Sequence, residues 1–300
     1  MSVVIVTYQS EQYVGPCLSS VYEHADVPLE AIVVDNASTD ASRRVIAEQF
    51  PGTSLIAMDE NRWYTAAANA GAARTRGDYL LFLNPDAELT PEALPQLVAH
   101  LTSESDVAAA GPRLISPDGK AQASAFTYPS LLMTWLEFFP HPGRLLDSRI
   151  NGRLKSLDDR PISIDHPLGA CMLVRRTAWE NVGPFDEDLL HYCEEVDWCM
   201  RAKSRGWKIS HVPAALVVHH GGASTEAAPG PSLEQLYTSR ERLHRKHRGP
   251  AFCAAARFIT RLGLRQEHRR LRQRVRSADA SDGARERLAA IERVLGRARA

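Results

Sequence analysis

Asp78-Tyr79-Leu80-Leu81-Phe82-Leu83-Asn84-Pro85-Asp86 is the stretch that decides the fold. Its five consecutive apolar or aromatic residues lack polar alternation, which is typical of a central parallel strand covered on both faces. The run ends abruptly at Asn84-Pro85-Asp86, a good β-turn sequence. Open α/β sheets bind ligands beyond the carboxyl ends of their strands, so Asp86 is also placed to hold a divalent cation against a phosphate group. On this stretch alone, both interpretations of Asp86 stay open.

Strand and helix signals alternate around this stretch. Aliphatic runs predict strands, and apolar residues at helical spacing predict the helices between them. The order is a strand at 3–6, a helix at 13–23, a strand at 31–34, a helix at 41–49, a strand at 54–58, an Ala-rich helix at 65–75, the opening stretch, a helix at 91–101 and a strand at 107–115. This alternation predicts an α/β fold with a doubly wound, mostly parallel sheet and flanking helices.

The composition is that of a globular chain. Its 300 residues are 44% hydrophobic and 24% charged, enough for one large domain or a domain plus an appendage. The five cysteines form no C-x-x-C pair, which favours reduced thiols in the cytosol and argues against a zinc site. No apolar run approaches the ~20 residues that span a bilayer, and the N-terminus resembles a strand more than a signal peptide. We therefore expect any membrane contact to be peripheral.

Residues 120–165 separate the strand at 107–115 from the rest of the chain. They lose periodicity and gather Pro, Gly and isolated aromatic residues. A loop region this long inside a domain is usually functional or mobile. Buried strands are predicted again at 169–176 and 208–219, with helical signals between them.

The second concentration of acids is Glu194-Glu195-Val196-Asp197, which opens a helix. Helical spacing places Glu194, Asp197 and Arg201 on one face. Acids in a first turn are an ordinary response to the helix dipole. Clustered carboxylates near a cleft also raise a pKa toward the range of a general base. The functional interpretation is preferred only in combination with Asp86.

Two other strand ends carry polar residues. Asp35 follows the second strand, where it suits contact with a base or sugar N–H group, or an Asx turn or helix cap. His219 and His220 end the strand at 208–219 and precede Gly221. They suit a loop that binds a metal or phosphate, although a single histidine there is more often structural.

The C-terminal part of the chain is basic. Residues 1–237 hold about twelve more acids than bases, and residues 238–276 about eleven more bases than acids, within a formal net charge of zero. A basic amphipathic helix pair suits an anionic membrane surface. A solvated arginine-rich helix, or a helix packed on the acidic domain, remains an alternative. Residues 277–300 predict a last helix with Leu288, Ile291 and Leu295 on one face, which suits self-association in a homodimer.

Six motifs occur in a fixed order along the chain. They are residues 3–8, 33–40, 83–86 and 169–171, Glu194-Glu195-Val196-Asp197 with Arg201, and His219-x-x-Gly222-x-Ser224. In this order they resemble family 2 glycosyltransferases, and most closely the rhamnosyltransferase branch that includes the bacterial cell-wall linker enzyme. Each motif alone is weak, but six in order over roughly residues 2–250 are specific.

The resemblance implies a GT-A fold at residues 1–237, with 120–165 on the acceptor side, and a basic helical extension at 238–300. It also implies inverting, metal-dependent sugar transfer from a nucleotide donor, with Mg²⁺ or Mn²⁺ as cofactor. Asp86 and His219 would bind the metal. Glu195 would be the general base, with Glu194 and Asp197 as alternatives. The remaining expected contacts, to the nucleotide and its diphosphate, are Thr7, Tyr8, Asp35, Asn36, Asn61, Asn69, Asn84 and Arg201.

Two positions depart from the family pattern. Trp63 stands where the family usually has a glycine after Asn61, so the backbone there lacks glycine's torsional freedom. Glu195 stands where the family usually has Asp, which lengthens the candidate base by one methylene group. Catalytic placement is sensitive at the ångström scale, so the acceptor would sit slightly farther away or a neighbouring acid would carry the proton.

The branch resemblance implies dTDP-L-rhamnose as donor, with a UDP-sugar as the alternative. The implied acceptor is a saccharide or a polyprenyl-linked saccharide of cell-envelope synthesis, handled in the cytoplasm at the inner face of the membrane. A dinucleotide oxidoreductase is disfavoured because no G-x-G-x-x-G follows the first strand. A non-catalytic nucleotide-sugar or RNA-binding module is the other alternative. Nucleic-acid binding is not expected, because no stacking aromatics accompany the arginines.

Overall fold

A mixed β-sheet with helices on both faces forms the larger of two structural units in this computed structural model. The structure describes residues 1–24, 28–139, 143–154, 159–221, 229–275 and 282–296. The sheet unit comprises Met1–Tyr128, Arg153–Glu187 and Glu194–Ser224, and the helical unit comprises Pro129–Gly152, Asp188–Cys193 and Thr225–Ala300.

The strands follow the predicted alternation and add a short strand directly after Asp86 and short pieces between residues 121 and 167. They are β1 (Ser2–Thr7), β2 (Glu30–Asp35), β3 (Ser54–Ala57), β4 (Tyr79–Leu83), β5 (Ala87–Leu89), β6 (Val107–Ile115), β7 (Ala121–Gln122), β8 (Ala125–Phe126), β9 (Ile162–Ser163), β10 (His166–Pro167), β11 (Cys171–Arg175) and β12 (Lys208–His219). The order across the main sheet is β3-β2-β1-β4-β11-β6-β12-β5, with β7 pairing with β6 and β9 with β12.

The opening stretch forms β4 at the centre of this sheet, but its two neighbours differ in direction. β4 is parallel to β1 and antiparallel to β11. The expectation of an entirely parallel setting for this strand is therefore wrong, whereas the mostly parallel α/β fold is confirmed. An apolar run reports burial on both faces and carries no information on the direction of the neighbouring strand.

Helices cover both faces of the sheet and make up most of the helical unit. They are α1 (Val14–Glu23), α2 (Ser42–Gln49), α3 (Trp63–Ala72), α4 (Ala93–Ser103), α5 (Leu131–Phe138), α6 (Gly143–Leu146), α7 (Arg176–Val182), α8 (Glu194–Ser204), α9 (Pro229–His247), α10 (Pro250–Val275) and α11 (Asp282–Gly296), with a 3₁₀ turn at Arg149–Asn151.

Successive side chains of the central strands are buried alternately in two separate apolar cores. Leu81 and Leu83 of β4 pack with residues of α1 and α4 on one face. Leu80 and Phe82 pack with α3, α7 and α8 on the other. This alternation is why β4 must be apolar at every position.

The helical unit has its own small core. Leu264 of α10 and Ile291 of α11 are fully buried in it, with Leu288 and Leu295 packed alongside. The stripe expected to mediate self-association thus faces the interior of this unit. Position 237, the predicted domain boundary, lies inside α9.

A helix that crosses a membrane must be both long and apolar. Within the described parts of the chain, every helix is too short or too polar to cross a bilayer.

Candidate active site

The carboxyl ends of three adjacent parallel strands bring predicted site residues to one edge of the sheet. β1 pairs with β2 so that Thr7 lies opposite Asp35. β1 also pairs with β4, with Ile5 opposite Leu83, the residue before Asn84. Because parallel strands end at the same edge, the first, second and fourth strands deliver their terminal polar groups together.

Asp86 and His219 lie side by side, as expected for two ligands of one metal. β5 and β12 pair antiparallel with His219 opposite Ala87, so Asp86 is held next to the end of β12. His219 Nε2 is 3.5 Å from Asp86 Oδ1, and both side chains are at most one-tenth exposed. No described set of three or more His, Cys, Asp and Glu residues could hold a metal ion. A cation bound here would take two ligands from this pair and the rest from other groups.

Gln122 of β7 fixes the imidazole of His219. Its Nε2 donates to the His219 carbonyl oxygen at 2.7 Å, so its Oε1 faces His219 Nδ1, at 2.9 Å. An amide oxygen only accepts, so Nδ1 carries a proton, and the lone pair of a neutral imidazole would then lie on Nε2, which faces Asp86. A lone pair on Nε2 beside a carboxylate is the donor set of a metal site, and the residues present therefore fit a divalent cation.

Glu194 and Glu195 begin α8 as a pair of poorly solvated carboxyl groups. Glu194 is buried, and burial followed by the nearby Glu195 charge raises its pKa well above the usual value. Glu195 is half-buried, and burial raises its pKa to about 7. Among the described residues, none hydrogen-bonds to Oε2 of either side chain. An unpartnered carboxyl oxygen with a pKa near neutrality is suited to accept a proton from a bound hydroxyl group.

Gly169 and Ala170 connect Glu195 to the strand end at Asn84. The Asn84 N–H donates to the Ala170 carbonyl oxygen at 2.8 Å. A Cβ atom on Gly169 would lie 3.5 Å from the carboxyl carbon of Glu195. The fourth strand and the late helix therefore deliver their polar groups to the same neighbourhood. A side chain at position 169 would therefore lie directly against the Glu195 carboxyl group.

Asp197 and Arg201 form a structural pair within the same helix. Asp197 is fully buried and accepts from Arg201 Nε at 2.8 Å. Arg201 also donates to the carbonyl oxygens of Val182 and Pro184. Asp197 and Arg201 therefore lie on the same face of α8, and the contacts of Arg201 anchor this helix to the end of α7.

Asp35 is held by its own surroundings. It is fully buried, accepts from the Thr7 hydroxyl at 3.1 Å and the Ser38 N–H at 3.0 Å, and forms an ion pair with Arg43. Arg43 is 39% exposed at its side chain and also donates to the Met58 carbonyl oxygen. The exposed cationic group at this strand end is therefore Arg43, with Asp35 behind it.

Asn36 and Asn61 tie together the segments that follow β2 and β3. Asn36 Nδ2 donates to Asn61 Oδ1 at 2.9 Å, and the Trp63 N–H donates to the same oxygen. Trp63 has a φ of 64°, the left-handed conformation that favours glycine. The glycine-type backbone is thus kept although the residue is tryptophan. Tyr8 is half-buried beside this edge, directly after β1.

Asn69 lies in α3, and its amide is occupied by the polypeptide. It donates to the Phe185 carbonyl oxygen at 2.9 Å and accepts from the Phe185 N–H at 3.0 Å. These bonds fasten the segment after α7 to α3.

Sequence reasoning missed Gln122 and Arg43. Gln122 lies in the aperiodic region, where no pattern marks it, and it reaches His219 only through the pairing of β7 with β6. Arg43 carried a weak signal, since it is a basic residue in the first turn of the helix that follows Asp35. The Gly222 and Ser224 positions of the sixth motif lie outside the described residues.

Comparison with known proteins identifies the family of the chain. The family model for glycosyl transferase family 2 matches residues 2–183. The chain is 29% identical over 255 residues to N-acetylglucosaminyl-diphospho-decaprenol L-rhamnosyltransferase of Mycobacterium tuberculosis, covering 80% of this chain and 82% of that protein.

Two solved structures share the fold. The mannosyltransferase PcManGT from Pyrobaculum calidifontis, in complex with GDP-Man and Mn²⁺, gives a TM-score of 0.57 at 18% identity and covers 98% of this chain and 79% of that one. GalNAc-T7 with UDP, GalNAc and Mn²⁺ gives 0.57 at 17% identity, over 73% of this chain and 42% of that one. The α/β architecture is therefore a GT-A fold. This chain belongs to glycosyl transferase family 2 and is a glycosyltransferase.

Proposed function

We propose that the chain transfers a sugar from a nucleotide diphosphate donor to an acceptor hydroxyl group with inversion, and that Glu195 is the general base. The observation that carries this assignment is the half-buried Glu195 carboxyl group, which lies beside Gly169, has a pKa near 7 and has an unpartnered Oε2 atom. Glu194 is more deeply buried, and Asp197 is engaged with Arg201. Glu195 is therefore the carboxylate best able to take a proton near neutral pH.

In the reaction, an oxygen of ionised Glu195 accepts the proton of the acceptor hydroxyl group. The oxygen of this hydroxyl group attacks the anomeric carbon at the same time. The bond from the anomeric carbon to the donor diphosphate breaks on the opposite face, which gives inversion in one displacement. Glu194 stays protonated beside Glu195, because two adjacent buried carboxylates do not both ionise readily.

Asp86 and His219 would hold the divalent cation, with Gln122 orienting the imidazole. When bound, such a cation stabilises the negative charge that develops on the leaving diphosphate. An imidazole ligand favours Mn²⁺ over Mg²⁺, which prefers oxygen ligands and retains its water. The Mn²⁺ present in both similar structures supports this proposal.

Replacement of Glu195 tests the base assignment. We expect Glu195→Gln to lower kcat by about 10²–10⁴-fold, because an amide cannot accept the proton, while donor affinity measured by calorimetry is retained. Glu180→Gln, an exposed change in the same unit, serves as the control. Near-normal turnover by Glu195→Gln would refute the assignment, and a matching loss in Glu194→Gln alone would move the role to Glu194.

The donor we propose is dTDP-L-rhamnose, with a UDP-sugar as the alternative, and the acceptor is a lipid-linked saccharide of cell-envelope synthesis. The support is the name of the 29% identical relative, which transfers L-rhamnose to a decaprenol-linked sugar. Thermal shifts with dTDP, UDP and GDP, each with Mn²⁺, test the donor. A larger stabilisation by dTDP is expected, and a larger one by UDP or GDP would contradict the choice of nucleotide.

We also propose peripheral docking on an anionic membrane through the helical unit. Large exposed apolar residues in the described chain are concentrated there: Leu132, Trp135, Ile150, Phe258 and Leu262, against Tyr22 alone in the sheet unit. The exposed stripe of α10 continues from its apolar residues into Arg265, Arg269 and Arg272. An apolar stripe that runs into arginines matches the boundary between acyl chains and anionic head groups.

Vesicle sedimentation tests the docking face. We expect binding to phosphatidylglycerol vesicles and much weaker binding to phosphatidylcholine vesicles, because each arginine near the surface contributes roughly 1 kcal/mol. Phe258 is 67% exposed, and Phe258→Asp should reduce the bound fraction, whereas Tyr22→Asp, in the sheet unit, should not. Equal sedimentation of wild type and Phe258→Asp would exclude this face.

A further inference from the structure

Helices α9, α10 and α11 of the helical unit enclose a cavity that the transfer chemistry does not use. Its volume is about 440 Å³, within the range of small-molecule sites. Side chains at helical spacing on α9 and α10 line it from two sides. α11 contributes Val294 and Leu295, which are packed into the core of the unit.

The charged part of the lining is cationic, with Arg240 also paired with Glu137 of α5 outside the lining. Among the described lining residues the arginines are Arg240, Arg242, Arg245, Arg257 and Arg261, and the one carboxylate is Glu241. Glu241 accepts from Arg245 at 2.7 Å and from Arg257 at 2.8 Å, so two guanidinium groups share one negative charge. Several guanidinium groups around one space are the arrangement by which proteins bind phosphate oxygens.

The other part of the lining is apolar. Ala256 and Leu264 of α10 are buried there, next to Val294 and Leu295 of α11. A ligand that matches both parts must have an anionic head and a hydrocarbon portion.

His244 is a second, independent observation in favour of a ligand. It lines the cavity and is 6% exposed, and its Nε2 has no hydrogen-bond partner among the described residues. Burial, followed by the charges of Arg240 and Arg248, lowers the pKa of His244 to about 4, so the imidazole is neutral. A buried ring nitrogen without a partner costs free energy unless a bound group satisfies it.

We infer that this cavity binds the head of an amphipathic phosphate ester. The guanidinium groups of the lining would contact the phosphate or diphosphate oxygens, and the apolar part of the lining would contact the first part of the hydrocarbon chain. A lipid-linked diphosphate and a free diphosphate share the head-group chemistry. The choice of the lipid as the physiological ligand rests on the proposed function, whereas the site itself is independent of it.

Calorimetry with the full chain, in the absence of donor, tests the inference with three probes: inorganic pyrophosphate, farnesyl diphosphate and farnesol. We expect farnesyl diphosphate to bind most tightly, because only it satisfies both parts of the lining. Arg257→Ala should weaken it at least about tenfold. Thr260→Trp, which fills the cavity and removes no charge, should do the same. Arg270→Ala removes one exposed charge from the same helix and should leave the affinity unchanged.

Three results would overturn the inference. The first is no binding of farnesyl diphosphate, and the second is binding of farnesol as tight as that of farnesyl diphosphate. The third is an unchanged affinity for farnesyl diphosphate in both Arg257→Ala and Thr260→Trp, provided that thermal melts show both variants to be folded. Pyrophosphate binding as tight as farnesyl diphosphate would overturn the lipid as ligand. Because no donor is present, Glu195→Gln should bind farnesyl diphosphate like wild type, which separates this inference from the proposed transfer reaction.

Discussion

At the scale of single residues, Gln122 shows how a group outside the reaction can control it. Its amide holds both the carbonyl oxygen and the Nδ1 atom of His219, so it decides which ring nitrogen of the neutral imidazole has a lone pair. We therefore regard Gln122 as a positioning residue for the metal site.

Gln122→Met keeps the size of the side chain and removes both hydrogen bonds to His219. We expect the affinity for Mn²⁺, measured by electron paramagnetic resonance with bound nucleotide, to fall about 10–100-fold. ¹⁵N chemical shifts of the His219 ring should change from one fixed tautomer to a mixture. Gln96→Met, an exposed change on α4, is the control. Unaltered Mn²⁺ affinity together with unaltered ring shifts would count against the role of Gln122.

Trp63 and Glu195 are the residues at which the chain departs from its family pattern. Trp63 keeps the left-handed backbone that glycine would adopt freely, and its N–H is held by Asn61. Such a conformation costs a residue other than glycine of order 1 kcal/mol or more, so the surroundings must enforce it. Sequence alone identified the substitution but not whether the chain would bend away from it or keep the turn.

At the scale of elements, α3 packs so closely against the sheet that position 71 has no room for a side chain. A Cβ atom at this position would lie 2.6 Å from Val4 Cγ1 of β1 and 3.0 Å from Val34 Cγ2 of β2. The small residues of this Ala-rich helix thus have a packing function, as the sequence indicated.

Gly71→Ala should destabilise the protein by about 1–3 kcal/mol, because the added methyl group overpacks the contact between helix and sheet. Urea denaturation followed by circular dichroism measures this change as a lower midpoint at constant slope. Gly52→Ala is the matched control, since a Cβ atom there would meet nothing within 4 Å. Equal midpoints for wild type and Gly71→Ala would show that α3 can move away from β1 at no cost.

Apart from the three-residue β5, the strands and helices before residue 115 could be predicted because each is a continuous periodic run. The direction of β11 could not, because its neighbour β4 is apolar on both faces whichever way the next strand runs. The structural role of Gln122 could not be predicted either, because this residue lies in a two-residue strand within an aperiodic region that carries no local signal. The basic character of α10 was evident, but the burial of Ile291 in α11 depended on tertiary packing.

At the scale of the whole molecule, two buried acids in the sheet unit make stability depend on pH. The pKa of Glu195 is raised to about 7, and that of Glu194 is raised well above its usual value. Between the ordinary glutamate pKa and these values, the folded state holds protons that the unfolded state has released. This contribution to stability is therefore complete at pH values below about 4.5 and is lost as pH rises through 7.

Catalysis has the opposite requirement, because Glu195 must be ionised to accept a proton. We expect kcat/KM to rise with pH, with an apparent pKa near 7, over the same range in which these acids destabilise the fold.

Glu194→Gln removes one of the two acids. It should leave the free energy of unfolding nearly unchanged at about pH 5 and raise it by roughly 1–3 kcal/mol at about pH 8. Denaturation at both pH values measures this, with Glu48→Gln, 60% exposed at its side chain, as the control. A Glu194→Gln variant that gains no stability at the higher pH would mean that the two acids are already well solvated, which would also remove the physical basis for a base with a raised pKa at Glu195.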